Sequence, residues 1–210
     1  MIRLLIVDDH PIVRAGLRRI AEEDRSISVA AEAADGPEAL TALRQTAVDV
    51  VLLDISMPGP PFTDTLLRLR EGHPSVRVLV LSTHSEDQWA LRALRGGASG
   101  YLTKDHSPEL LVDAVRRVHR GGRYVSPSLA EKLAARLGPD IAGAPHESLS
   151  DREFEVLRRL GTGRSVKEVA VELGLSPKTV STYRTRLMEK MRFTSTSDLV
   201  RYAAQHALIE

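Results

Sequence analysis

Val48-Asp49-Val50-Val51-Leu52-Leu53-Asp54-Ile55-Ser56-Met57-Pro58 is the stretch on which the fold depends. Residues 48–53 are apolar apart from Asp49 and rich in Val and Leu, without the alternation of a half-exposed strand. Such a run suits a strand buried on both faces, as in parallel sheets. Four more short runs share this character, at Arg3–Val7, Ser28–Ala33, Val76–Leu81 and Gly100–Leu102. Amphipathic stretches lie between and after them, at Pro11–Glu23, Pro37–Gln45, Thr63–Glu71, Asp87–Arg95 and Pro108–Arg120. For the last, Ser107 is placed to cap, Pro108 fits the first helical position, and Gly121-Gly122 ends the helix. Five βα units with right-handed crossovers predict an α/β fold, a doubly wound five-stranded parallel sheet over residues 1–120.

Composition narrows the classes of function. Hydrophobic residues make up 42% of the 210 and charged residues 27%, an ordinary globular balance. With no cysteine, disulfide scaffolds, zinc ribbons, iron–sulfur clusters and thiol nucleophiles are excluded. The apolar runs are too short to span a bilayer, and the early Asp8-Asp9 argues against a secretory signal, so a cytoplasmic protein is expected. Aromatic residues are only 4%, too few for the stacking platforms of single-strand binders. The net charge of +1 conceals a division: residues 1–120 carry 17 acids against 15 bases, residues 148–210 carry 8 against 11.

Residues 121–147 read as a linker. Ser126-Pro127 opens a short helix through Leu137, and Gly138-Pro139 ends it. From residue 148 onward the pattern is helical. Ser150-Asp151-Arg152-Glu153 and Ser165-Val166-Lys167-Glu168 are capping boxes, Ser176-Pro177 is a cap followed by an N1 proline, and Ser195 is placed to cap a fourth helix ending near Ala207. A small all-α domain over residues 148–210 is expected.

Doubly wound sheets keep their chemistry beyond the carboxyl ends of the strands. Here the first strand runs into Asp8-Asp9, the third into Asp54, the fourth into Ser82-Thr83, and Lys104 follows the fifth. Converging carboxylates raise one another's pKa unless a cation offsets them. Oxygen-only ligands fit Mg²⁺, which keeps waters and takes a phosphate oxygen as partner. Asp54, rigidly held after an apolar run, is the best candidate nucleophile towards phosphorus. Asp9 with Asp8 would hold the metal, Lys104 would pair with the phosphoryl group, and Ser82 would donate to it. The seven histidines are scattered without metal-ligand spacing, and Trp89 reads as a packing residue.

Val7-Asp8-Asp9-His10, Asp54-Ile55-Ser56-Met57-Pro58, Leu81-Ser82 and Gly97-Ala98-Ser99-Gly100-Tyr101-Leu102-Thr103-Lys104 together resemble the flavodoxin-like receiver domain of bacterial two-component response regulators. The resemblance spans residues 1–120. It implies that Asp54 accepts phosphate from a sensor histidine kinase, with Mg²⁺ held by Asp9, Asp54 and the Ser56 carbonyl. It also implies a switch in which Ser82 moves to the phosphoryl group and the Tyr101 ring follows inward. The run Gly59-Pro60-Pro61-Phe62 departs from the family, which usually has a glycine near Phe62, and stiffens the loop beside the acceptor.

In the second domain, Val169, Ala170 and Leu173 form an apolar stripe, Gly174 allows a tight turn, and Ser176 starts another helix, as in a helix-turn-helix. Along that helix Val180, Leu187 and Met191 keep core spacing, while Lys178, Ser181, Thr182 and Thr185 share a different face. Small polar side chains suit base edges in a major groove. The flanking Arg184, Arg186 and Lys190 suit phosphates. A basic run alone is more often a solvated helix face; here it is joined to the turn.

Leu149-Ser150-Asp151-Arg152-Glu153, Glu168-Val169-Ala170, Leu175-Ser176-Pro177-Lys178-Thr179-Val180 and Arg186-Leu187-Met188-Glu189-Lys190-Met191 resemble the LuxR/FixJ type of helix-turn-helix domain. That resemblance makes 176–191 the recognition helix, with Ser181, Thr182 and Thr185 facing bases. Tyr183 stands where a histidine is common, and Arg192 where a small residue often turns the chain. The expected whole is a response regulator of the NarL/FixJ kind: not an enzyme beyond its own phosphorylation, acting as a homodimer on double-stranded DNA. An Asp-nucleophile phosphohydrolase is the competing reading. It would need a second acid two residues after the nucleophile, where Ser56 stands.

Overall fold

The computed structural model describes residues 1–83, 86–135 and 144–209. Five strands, β1 (Ile2–Val7), β2 (Ile27–Ala33), β3 (Val50–Asp54), β4 (Arg77–Ser82) and β5 (Gly100–Thr103), alternate with α1 (Pro11–Glu22), α2 (Gly36–Gln45), α3 (Phe62–Gly72), α4 (Glu86–Gly96) and α5 (Pro108–His119). Helix α6 (Pro127–Ala135) follows. Beyond it come a 3-10 turn (Pro145–Ser148), α7 (Asp151–Gly161), α8 (Val166–Glu172), α9 (Pro177–Met191) and α10 (Thr196–Gln205).

Every strand pair is parallel, in the order β2-β1-β3-β4-β5. The strand order reverses between β1 and β3, which opens a crevice at their carboxyl ends. All five residues of β3 are buried, as its unbroken apolar run requires. Leu4, Ile6, Val50, Leu52, Leu79 and Leu81 pack in one cluster with Leu111, Val115 and Val118 of α5. The intervening Leu5, Val51, Leu53 and Val80 are equally buried, so helices cover both faces. Ser107 occupies the position before α5, with Pro108 after it, yet its side chain makes no capping bond. The expected cap is therefore absent, and the N1 proline, whose missing N–H needs no partner, remains as the start signal.

The chain divides into two compact units, Met1–Ala135 and Arg136–Glu210. Part of the segment expected to be linker thus belongs with the sheet: Tyr124 forms a parallel bridge with Gly100 of β5, and Leu129 of α6 is buried. Gly138-Pro139, and the expected linker over residues 136–143, lie outside the described residues.

In the second unit the start signals act as read. Ser150 N–H donates to Glu153 Oε2 at 2.8 Å, and Ser165 N–H to Glu168 Oε2 at 2.7 Å, while each serine hydroxyl accepts from the backbone N–H of its glutamate. Ser176 accepts from Thr179 N–H at 3.1 Å. Ser195 begins α10 with the same reciprocal pattern, through Asp198. The Asp198 carboxylate also accepts from the backbone and hydroxyl of Thr194, and these donors bring its pKa down to about 2. A depressed carboxylate stabilises the fold above its ordinary value and loses that contribution as pH falls through the folded value. Replacing Asp198 by Ala is therefore expected to lower the stability of this unit at neutral pH and to flatten its acid dependence between about pH 4 and pH 2. Thermal unfolding followed by circular dichroism across that range checks both effects.

Candidate functional site

The acids gather at the carboxyl edge of the sheet because three strands end there. Asp8 follows β1, fixed by its N–H donating to Ala33 O at 3.1 Å. Asp54 closes β3, and Lys104 follows β5, with its N–H on Ser82 O at 2.7 Å. Asp8 and Asp54 are each 1% exposed, while Asp9 is only partly buried. Lys104 Nζ stands 2.6 Å from Asp8 Oδ2 and 2.9 Å from Asp54 Oδ2, bridging two carboxylates that would otherwise repel.

Asp8 is fully engaged, since its Oδ1 accepts His10 N–H at 2.8 Å while Oδ2 takes Lys104. Grouped from sequence with the metal ligands, it stays within reach of Asp9 and Asp54 and also anchors Lys104. Asp54 Oδ1 accepts Ser56 N–H at 3.2 Å. Asp9 Oδ1 and Asp54 Oδ2 are buried, and no donor meets either at hydrogen-bonding angles. Buried carboxylate oxygens met only by ion-pair contacts can take a further cation as partner. Donor atoms of Asp8, Asp9, His10 and Asp54 lie within 4.8 Å of one another. His10 was not expected here: its Nδ1 sits 2.9 Å from Asp9 Oδ1, a contact set by side-chain direction that residue spacing does not reveal.

Burial pushes the Asp54 pKa up, against the opposing pull of Lys104 and the Ser56 amide, and the Asp8 charge adds to the rise. Such a carboxylate is more basic, and so more nucleophilic, than an exposed one. Burial works against the Lys104 ammonium, but Asp8 and Asp54 together outweigh it and raise its pKa. Ser82 and Tyr101 are wholly buried. In the departing loop, Gly59 takes φ +108°, which favours glycine, and Phe62 meets Trp89 edge-on at 5.8 Å. Trp89 is a packing residue, as read.

In the second unit Val169, Ala170 and Leu173 are buried, Gly174 makes the turn with φ +63°, and Val180, Leu187 and Met191 face inward from α9. Lys178, Ser181, Thr182, Thr185 and Arg186 are exposed, while Thr179, Tyr183 and Arg184 are half-buried. Thr179 Oγ1 lies 2.8 Å from Ser176 Oγ, and Arg184 donates to Thr196 Oγ1 at 2.9 Å, so both help to brace the helix. The hydroxyls of Thr182 and Thr185 donate back to the Lys178 and Ser181 carbonyls, which leaves their lone pairs facing solvent. Arg192 closes α9 with φ 55°, a left-handed turn where a glycine would be unstrained.

Lys190 does not present a free cation. Its Nζ pairs at 2.6 Å with Oε2 of Glu153, which is 3% exposed and also completes the α7 capping box. This long-range pair is invisible to a reading of one helix face. Glu153→Ala is expected to cost about 1–2 kcal/mol, because a cap and an ion pair are lost together. Lys190→Ala should cost under about 1 kcal/mol, since its ammonium is half exposed. Denaturant unfolding of the two variants checks this, and equal losses would contradict the assigned roles.

Residues 4–116 match the response regulator receiver domain, and residues 147–203 match the bacterial regulatory proteins of the luxR family. The chain therefore belongs to the response regulators that join a receiver to a LuxR-type helix-turn-helix domain, a family that regulates transcription. Among its relatives, response regulator UvrY of Escherichia coli K12 is 37% identical over 209 residues, covering 99% of this chain and 96% of UvrY. Response regulator GacA of Pseudomonas aeruginosa is 36% identical over 211 residues, covering 100% of this chain and 99% of GacA. Among solved structures, RcsB of Salmonella enterica serovar Typhimurium, bound to the rprA promoter in the presence of a phosphomimetic, aligns with a TM-score of 0.66. It is 27% identical, and the alignment covers 97% of this chain and 99% of RcsB. Among the described residues no helix is long and apolar enough to cross a membrane.

Proposed function

We propose that Asp54 is the phosphoacceptor of this response regulator, taking its phosphoryl group from a phosphohistidine of a sensor kinase, and that the new charge controls dimerisation and duplex-DNA binding by the second unit. The observation that carries this reading is the Lys104 ammonium held between buried Asp8 and Asp54 at the sheet edge. In the transfer the P–N bond of the donor breaks, a P–O bond forms to the Asp54 carboxylate, and the imidazole leaves with a proton from solvent. Lys104, 2.9 Å from Asp54, is placed to pair with the transferred phosphoryl oxygens. Asp9, Asp54 and the Ser56 carbonyl would hold Mg²⁺, with Asp8 behind them. When bound, the ion offsets the charge of acids and phosphoryl oxygens together.

Ser82, buried at the end of β4, would donate to the phosphoryl group, with Tyr101 responding beside it on β5. Adding a doubly charged acceptor at a packed edge biases a two-state arrangement of such neighbours. The receiver function is assigned to residues 1–120 and DNA binding to residues 148–210. On α9, exposed Ser181, Thr182 and Thr185 would read base edges. Lys178 and Arg186 would contact phosphates, joined by Arg184 if it leaves Thr196. That the similar RcsB is solved bound to a promoter supports duplex binding by likeness. A duplex target and a kinase donor support a cytoplasmic location and a regulatory role rather than a catalytic one.

Two expected outcomes test the reading. Asp54→Asn should abolish Mg²⁺-dependent, acid-labile labelling from a small phosphodonor such as acetyl phosphate; labelling that persists would overturn the choice of acceptor. In fluorescence titrations, Thr182→Ala should change which duplexes are preferred. Arg186→Ala should weaken binding to all of them and reduce the log–log salt slope by about 1. Unaltered binding in both variants would overturn the role of α9.

A further inference from the structure

Glu86 opens α4 with a carboxylate for which the phosphoryl chemistry has no use. Its Oε2 accepts the Ser126 hydroxyl, and its Oε1 is buried with no hydrogen-bond partner. A half-satisfied buried carboxylate costs free energy, so the contact lasts only while its surroundings hold it in place. Ser126 also accepts from Leu129 N–H at 3.1 Å, capping α6, and Leu129 is 4% exposed. Just upstream, Tyr124 N–H donates to Ser99 O and Tyr101 N–H donates to Tyr124 O, both at 3.0 Å. Gly100 makes this approach possible, since a Cβ there would stand 2.7 Å from the Tyr124 carbonyl oxygen. Residues 122–135 are thus strapped along the free edge of β5 and tied to α4.

We propose that this strap is docked when Asp54 bears no phosphate and is released when Asp54 is phosphorylated, with Glu86 and Ser126 as its latch. The inference rests on the phosphoacceptor reading above. Its direction follows from the strand order. Asp54 lies on β3, Ser82 ends the adjacent β4, and the strap lies on the far side of β5. A Ser82 drawn towards a phosphoryl group on Asp54 moves the end of β4 away from the strap. Glu86, four residues beyond Ser82, is drawn the same way while the Ser126 hydroxyl stays behind. Tyr101 joins the two events, because its backbone holds Tyr124 and its buried side chain lies one strand from Ser82. The strap precedes the second unit in sequence.

Hydrogen exchange of the full chain, with and without acetyl phosphate and Mg²⁺, tests the coupling. The Tyr101 and Tyr124 amides are expected to exchange about tenfold faster once Asp54 is phosphorylated. Ser126→Ala should give the same increase without phosphate while leaving labelling at Asp54 unchanged. Gly100→Ala, which displaces the strap by another route, should do likewise. A labelled chain whose Tyr124 amide stays protected, or a Ser126→Ala chain as protected as the parent, overturns the latch. Failure to label at all is a separate result, which overturns the phosphoacceptor reading and the coupling with it.

Discussion

Lys104 reaches from the end of β5 across the sheet edge to Asp8 at 2.6 Å and Asp54 at 2.9 Å. Two buried carboxylates this close repel each other, and the shared ammonium lets them persist side by side. The parallel sheet makes the arrangement possible, because it delivers the ends of β1, β3 and β5 to one edge with β3 enclosed on both faces. Asp8 holds Lys104 in place, while Asp54 Oδ2 and Asp9 Oδ1 are buried and met only by the ion-pair contacts of Lys104 and His10. The result is a sheet edge with more carboxylates than cations, where a metal ion and a phosphoryl group can balance each other.

The second unit solves a different problem, which is to build a rigid small helical body without a large core. Reciprocal caps at Ser150, Ser165 and Ser195 satisfy backbone donors that short helices leave open. Glu153 serves twice, as capping partner of Ser150 and as counter-ion of Lys190, and so ties α7 to α9. The face of α9 bearing Ser181, Thr182, Thr185 and Arg186 therefore stands on a braced frame. Rigid presentation of that kind is what a groove-reading helix needs.

Much of this was legible from local pattern. The Val50–Asp54 run, the residues at strand ends and the Ser-x-x-Glu boxes each carry their structural meaning within a few neighbours. Features decided by distant partners or side-chain direction were not legible. Lys190 read as a phosphate contact because nothing near it announces Glu153, 37 positions away. Tyr124 read as linker because its partners are the backbones of Ser99 and Tyr101 on a sheet edge. His10 joins the acids only because its ring turns towards Asp9, and Ser107 sits at a helix start without capping it.

The account depends most on Asp54, rather than Asp8 or Asp9, being the residue that is modified. Borohydride reduction of the phosphodonor-treated chain, followed by peptide mass mapping, reads this directly, because an aspartyl phosphate is reduced to homoserine where it stands. The account predicts homoserine at position 54 alone, formed only when Mg²⁺ was present during labelling. Homoserine at position 8 or 9, or at 54 with no need for the ion, would contradict it.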